Sequence, residues 1–191
     1  EAGGLGVIGS AFMEPGELRA EIKLAKENTS KPIGVDILFA EVSGTDPTTT
    51  GYTRQVEAHI DVCYEEGVDV IVSGLGNPAR IVSEAHSRGI LLMSLVGNVK
   101  QAKAVEMAGV DAVIASGHEG GGHVGRIGTI SLLPRVVDCV KIPVLGAGGL
   151  ADGRGLVAAM ALGAKGVWMG TRFIATKEAR GHQNYKEKIV D

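Results

Sequence analysis

Short apolar runs, each entered from a glycine and left at a glycine, set the rhythm of this chain. Gly67-Val68-Asp69-Val70-Ile71-Val72-Ser73-Gly74 is echoed by Gly109-Val110-Asp111-Ala112-Val113-Ile114-Ala115-Ser116-Gly117, and again by Gly163-Ala164-Lys165-Gly166-Val167-Trp168-Met169-Gly170. Each reads as a helix C-cap glycine, a polar turn, a buried strand and a glycine at the strand's end. Further strands are predicted over 7–10, 32–39, 90–96 and 142–148. Between them the periodicity changes to that of helices, over 15–28 (with Leu18, Ile22 and Ala25 on one stripe), 54–66, 78–87, 99–108, 131–139 and 153–161. Residues 40–52, rich in Thr and Gly, read as a loop. Continuous apolar strands alternating with helices mean an α/β fold with a parallel sheet. Seven strands of two alternating flavours point to a (β/α)8 TIM barrel whose first strand would lie before Glu1, so the chain is expected to be one barrel domain over 1–191, a piece of a longer protein. A doubly wound sheet shares the alternation and is the competing fold.

Composition agrees with this picture. Of 191 residues 45% are hydrophobic and only 4% aromatic, and 29 are glycines, as buried strands joined by tight turns require. The net charge of -3, with no run of one sign, gives no electrostatic footprint for nucleic acid or a membrane surface. No apolar stretch reaches membrane-spanning length and no signal peptide is visible, so the cytoplasm is the default compartment. Cys63 and Cys139 lack any CxxC spacing and read as buried thiols rather than a disulfide.

The chemistry concentrates at strand ends. Ala115-Ser116-Gly117-His118-Glu119-Gly120-Gly121-Gly122-His123 sets three consecutive glycines before a histidine, where a backbone must turn sharply or approach a ligand closely. Imidazole is the side chain that titrates near neutral pH, and His123 at a strand's C-terminal end is the candidate catalytic group. His118 could anchor the same loop. His59 and His86 fall on helices and read as solvated or partly buried, and His182 as surface. No histidine pair has zinc spacing. Gly74-Leu75-Gly76-Asn77-Pro78-Ala79 matches a dinucleotide fingerprint, but the next strand ends Ser94-Leu95-Val96-Gly97-Asn98 without the acid that the fingerprint needs. Gly146-Ala147-Gly148-Gly149-Leu150-Ala151-Asp152-Gly153 follows strand Val144-Leu145 and Met169-Gly170-Thr171-Arg172-Phe173 ends the last strand, the two places where barrels commonly bind phosphate through backbone N–H groups. Asp152 reads as a helix N-cap. Ser94 ends a strand, Arg126 lies near His123, and Lys100 and Lys103 read as surface charges.

In that order and spacing, Glu119-Gly120-Gly121-Gly122-His123-Val124-Gly125, Gly146–Gly153, Ala161-Leu162-Gly163-Ala164 and Met169–Phe173 resemble the nitronate monooxygenases, formerly 2-nitropropane dioxygenases. FMN-dependent enoyl-ACP reductases carry the same set. The resemblance implies a barrel holding FMN without covalent attachment. Gly121 and Gly122 would line the flavin. Gly148, Gly149, Gly170 and Thr171, with Ala147 beside them, would hold its phosphate, and His123 would be the catalytic histidine. Asp36 would contact the flavin where the family usually has Asn, and Gly120 replaces a more usual Ala. Family members are longer, with a first strand and a C-terminal helical segment. The implied activity is oxidation of a small-molecule alkyl nitronate by molecular oxygen, giving a carbonyl compound and nitrite, with a homodimer possible and no metal. NAD(P)H-dependent enoyl-ACP reduction is the alternative. A non-catalytic barrel fragment that binds a phosphorylated ligand is a third.

Overall fold

The structure, a computed structural model, describes residues 3–39 and 47–190. The described residues contain seven parallel strands: β1 (Gly6–Gly9), β2 (Ile33–Leu38), β3 (Val70–Leu75), β4 (Leu91–Val96), β5 (Ala112–Ser116), β6 (Val144–Ala147) and β7 (Gly166–Trp168). Helices α1 (Pro15–Asn28), α2 (Pro47–Glu66), α3 (Val82–Ser87), α4 (Val99–Ala108), α5 (Thr129–Val137), α6 (Gly153–Ala161), α7 (Thr171–Ile174) and α8 (Gln183–Val190) alternate with and follow them. The expected class is the one found: α/β, built as seven strands of a (β/α)8 barrel. Two compact units divide the chain, one of Glu1–Leu95 with Ala104–Asp111, the other of Val96–Lys103 with Ala112–Asp191.

The first unit pairs β1 to β2, β2 to β3 and β3 to β4, all parallel, with Val35 beside Ile71 and Val72 beside Met93. Val35, Ile37, Ile71, Val72 and Leu92 are fully buried, together with Leu18 and Ile22 of the α1 stripe. Strands covered on both faces have no solvent side to alternate toward, which is why they read as unbroken apolar runs. The repeated Gly-Val-Asp has its own cause. Asp69 Oδ2 accepts the Ile33 N–H at 2.9 Å, and Asp111 Oδ2 accepts the Leu92 N–H at 2.7 Å. Each carboxylate satisfies an amide at the start of the preceding strand and so fixes where that strand begins. The third repeat has Lys165 at this position and keeps only the backbone bond, Lys165 N–H to Val144 O.

The second unit pairs β5 with β6 and β6 with β7, again parallel, with Val113 beside Val144 and Leu145 beside Gly166. Leu132, Leu133 and Val136 of α5 pack its core. Gly146 leaves room for Leu133 and for Leu150 of the following loop: a Cβ there would lie 3.0 Å from Leu133 Cδ2 and 3.2 Å from Leu150 Cδ1.

Several boundaries differ from the sequence reading. The stretch expected as a loop is helical from Pro47 onward, while 40–46 lie outside the described residues. Proline is suited to a first helical turn, where its missing N–H is not needed. The 78–87 helix divides into a 3-10 turn, Ala79–Ile81, and α3. Residues 171–173, expected to end the last strand, open the short helix α7. Cys63 is buried, which pushes its thiol up to about 12; Cys139 is half-buried, and neither is bonded to another cysteine. No helix among the described residues is long and apolar enough to cross a membrane.

Candidate functional site

In the second unit the chain leaves β5 at Ser116 and loops to the start of α5. The loop is fixed by one acid. Glu119 Oε2 accepts the Thr129 backbone N–H at 2.8 Å and the Thr129 hydroxyl at 2.9 Å. It thereby caps α5, whose N-cap position is Gly128, a residue without a side chain to do so. These bonds, the Thr129 N–H foremost, hold the Glu119 carboxyl below the usual carboxylate range. Thr129 Oγ1 also lies 3.2 Å from Ala147 O and 2.9 Å from Gly148 O, and the Gly117 N–H donates to Ala147 O at 3.0 Å. The loop after β5, the first turn of α5 and the end of β6 are therefore one hydrogen-bonded knot.

That knot explains the glycines around it. A side chain at Gly117 would collide with Thr129. Gly148 has φ +97° and Gly149 φ +69°, backbone conformations that L side chains rarely adopt. A Cβ on Gly148 would in addition lie 2.8 Å from Thr129 Oγ1 and 2.9 Å from Gly117 O. Ala147 is buried and takes part through its carbonyl.

The far part of the loop is open. Gly121, Gly122 and His123 are exposed. A Cβ on Gly121 would lie 2.7 Å from Thr171 Oγ1, so the loop backbone passes close against the hydroxyl that opens α7. Built Cβ atoms on Gly122 (φ +88°) and on Gly170 meet nothing within 4 Å. The structure thus brings Gly121, Thr171, Ala147, Gly148 and Gly149 into one unit with His123 on the same loop. His118 is half-exposed; its backbone N–H donates to Ile127 O at 2.9 Å, which makes it a loop anchor. Asp152 is the α6 N-cap, accepting from Arg154 N–H at 2.9 Å, and with the Arg154 guanidinium beside it its carboxyl falls to about 2. Arg126 is exposed.

Asp36 belongs to the other unit. It sits in β2, and a side chain on Gly74 would strike its carboxylate. Asp36 Oδ1 is buried without a hydrogen-bond partner among the described residues, as is Ser94 Oγ in β4. Burial pushes the Asp36 carboxyl up to about 6, against the pull of the Gly74 backbone N–H that donates to it. His59 lies deeper than its helical context suggested, buried with Nε2 2.9 Å from Met13 O; His86 pairs with Asp111 at the surface, and His182 is exposed. No group of three metal-ligating side chains occurs among the described residues.

Reading by motif passed over Glu119 and Thr129 as actors. An acid followed ten residues later by a Thr opening an apolar helix was the available signal, and only the fold shows that they meet.

The sequence profile described as Nitronate monooxygenase matches residues 1–191. The chain belongs to that family. Over 99% of its length it is 43% identical to the Rhodococcus jostii (3aS,4S,5R,7aS)-5-hydroxy-7a-methyl-1-oxo-octahydro-1H-indene-4-carboxyl-CoA dehydrogenase, of which it covers 50%. Among solved structures it superposes on FabK from Thermotoga maritima with a TM-score of 0.87 at 45% identity, covering 100% of this chain and 57% of that one. It superposes on the nitroalkane oxidase of Streptomyces ansochromogenes with the same TM-score of 0.87 at 29% identity, covering 100% and 64%. The chain spans about half the length of the Rhodococcus relative. The family's name, monooxygenase, and the names of the Rhodococcus dehydrogenase and the Streptomyces oxidase are all those of oxidoreductases.

Proposed function

We propose that the protein is an FMN-dependent oxidoreductase that oxidises alkyl nitronates with molecular oxygen, giving a carbonyl compound and nitrite. The observation that carries this is the contact of Gly121 with Thr171 beside His123. The residues present fit the cofactor: the backbones of Gly122 and Gly170 face open space, and Thr171 supplies a hydroxyl. The nearest loop carboxylate, Glu119, is occupied by Thr129 instead of opposing a phosphate. Gly121 and Gly122 would lie along the flavin, and Gly148, Gly149, Gly170 and Thr171 around its phosphate, with Ala147 fixing the turn. FMN, when bound, supplies the electron-accepting and oxygen-reacting chemistry. The His123 imidazole, held out on the pinned loop, orients the nitronate oxygens by donating from a ring nitrogen. From a neutral nitroalkane the same nitrogen removes the α-carbon proton. The Glu119 knot fixes the ends of the loop that carries that ring.

A second reading is oxidoreduction of a thioester-linked substrate. It is favoured by identities of 43% to a CoA-substrate dehydrogenase and 45% to FabK, above the 29% to nitroalkane oxidase. One experiment separates the two. The purified protein is scanned for visible flavin absorption, then given propionate 3-nitronate or NADH without oxygen. Bleaching by nitronate is expected; bleaching by NADH alone selects the second reading, and a colourless protein that takes up no FMN overturns both. His123→Ala should slow turnover by roughly 10²–10⁴-fold, the usual weight of an acid–base group, with flavin retained. Loss of flavin in that variant would assign His123 to structure instead.

A further inference from the structure

Between the N-terminal turns of α4 and α5 the second unit opens a cavity of about 470 Å³. That is within the range of roughly 300–1,000 Å³ typical of small-molecule sites. Its wall carries Lys100 and Arg135 and no carboxylate. Neither cation forms an ion pair among the described residues, although the chain as a whole is acidic. Asn98 uses its Oδ1 to accept the Gln101 N–H, which leaves its amide hydrogens as donors, and the Ser131 hydroxyl adds another. Leu132, 1% exposed, and Ile127 make the apolar side. Two unpaired cations, neutral donors and an apolar wall suit an organic anion better than a bare ion.

The cavity is tied to the His123 loop. Ile127 is part of that loop, and Gly125 backs onto Gly97: a Cβ on Gly97 would lie 3.2 Å from Gly125 Cα. This close backbone approach pins the loop to the start of α4. The four residue-to-residue steps from His123 to Ile127 span at most about 14 Å, at ~3.5 Å per step, so one elongated molecule reaches both.

We propose that this cavity is a subsite for the phosphorylated end of an elongated substrate whose reacting end lies at His123. The proposal rests on the second reading above, in which the substrate is carried as a thioester. Lys100 and Arg135 would neutralise phosphate monoester oxygens, Asn98 and Ser131 would donate to them, and Leu132 with Ile127 would cover the adjoining organic part.

The test is isothermal titration of FMN-saturated protein with adenosine 3′,5′-bisphosphate, with inorganic phosphate in a parallel arm. The bisphosphate is expected to bind without displacing FMN, and more weakly as salt rises. The double variant Lys100→Gln/Arg135→Gln should lose at least about tenfold in affinity, on the order of one lost charge-assisted contact per residue, with FMN affinity unchanged. Ser131→Asp, which places a carboxylate in the wall, should abolish binding, and its circular dichroism and flavin uptake report that the fold is intact. No binding to the native protein, or binding that the variants leave unchanged, overturns the subsite. So does displacement of the bisphosphate by FMN, or equal affinity for inorganic phosphate. If the native protein takes the bisphosphate but no FMN, the subsite stands and the flavin reading fails.

Discussion

Asp36 is the residue whose chemistry departs furthest from its surroundings. It interrupts an otherwise apolar strand, and its Oδ1 has no partner among the described residues. Burial raises its carboxyl from 3.8 to about 6. The ionised form is therefore the disfavoured one in the folded state. Below the unfolded value both states hold the proton and nothing is lost; as pH rises through the folded value of about 6, folding bears the full cost. Asp36→Asn should accordingly stabilise the protein at pH 8, by up to about 3 kcal/mol at ~1.4 kcal/mol for each tenfold change in proton affinity, and leave it nearly unchanged at pH 4. Urea denaturation at the two pH values measures this. An equal effect at both would show that Asp36 is as well solvated folded as unfolded. The sequence announced the anomaly, since Asp36 breaks a run of buried apolar positions. It could not announce the orphaned oxygen, which depends on what β3 brings alongside.

At the scale of elements, the Glu119–Thr129 bonds decide the order of the loop between β5 and α5. Glu119→Gln keeps the size of the side chain and loses the charge. Residues 117–128 should then exchange their amide hydrogens roughly 5- to 10-fold faster, the scale of a weakened helix cap, while β5 stays protected. The pH dependence has the opposite sign to that of Asp36. The Glu119 carboxyl is held low, so its contribution is complete above the ordinary carboxylate value and disappears as pH falls through the lowered one. Hydrogen exchange that is uniform across β5 and the loop in the variant would show that the knot is not a local fastening. The same bonds show why α5 starts at Thr129, two residues before the sequence reading: its cap comes from ten positions upstream. By contrast, α1, α4 and α6 follow from pattern alone to the residue, each combining an apolar stripe with local stop signals. The start of α2 was hidden by a run of threonines with weak helix propensity, and α7 is too short to have a period. The glycines of the candidate site were legible because their reasons are local, a left-handed torsion at Gly148 and Gly149 or a close approach at Gly121. Their partner Glu119 was not, because its reason is distant.

For the whole molecule, the alternation of strand and helix was enough to define the class, since parallel neighbours must be joined by a crossover. The order of the strands follows the order of the sequence within each unit, β1 to β4 in one and β5 to β7 in the other. This regularity has a kinetic consequence. None of the described ladders joins residues nearer in sequence than Val70 to Leu91 or Leu145 to Gly166, so a full helix lies between any two pairing partners. There is no hairpin among the described strands from which a sheet could start. Chains with only such distant pairings fold in roughly milliseconds to seconds, after helices that form in about a microsecond. Pulse-labelled refolding should therefore find the amides of α1 and α4 protected before any amide of β2 or β5; strand protection first would contradict it. During that interval the apolar runs that give this chain its rhythm are bare, and a nascent copy has to be kept from its neighbours until the helices between those runs have formed.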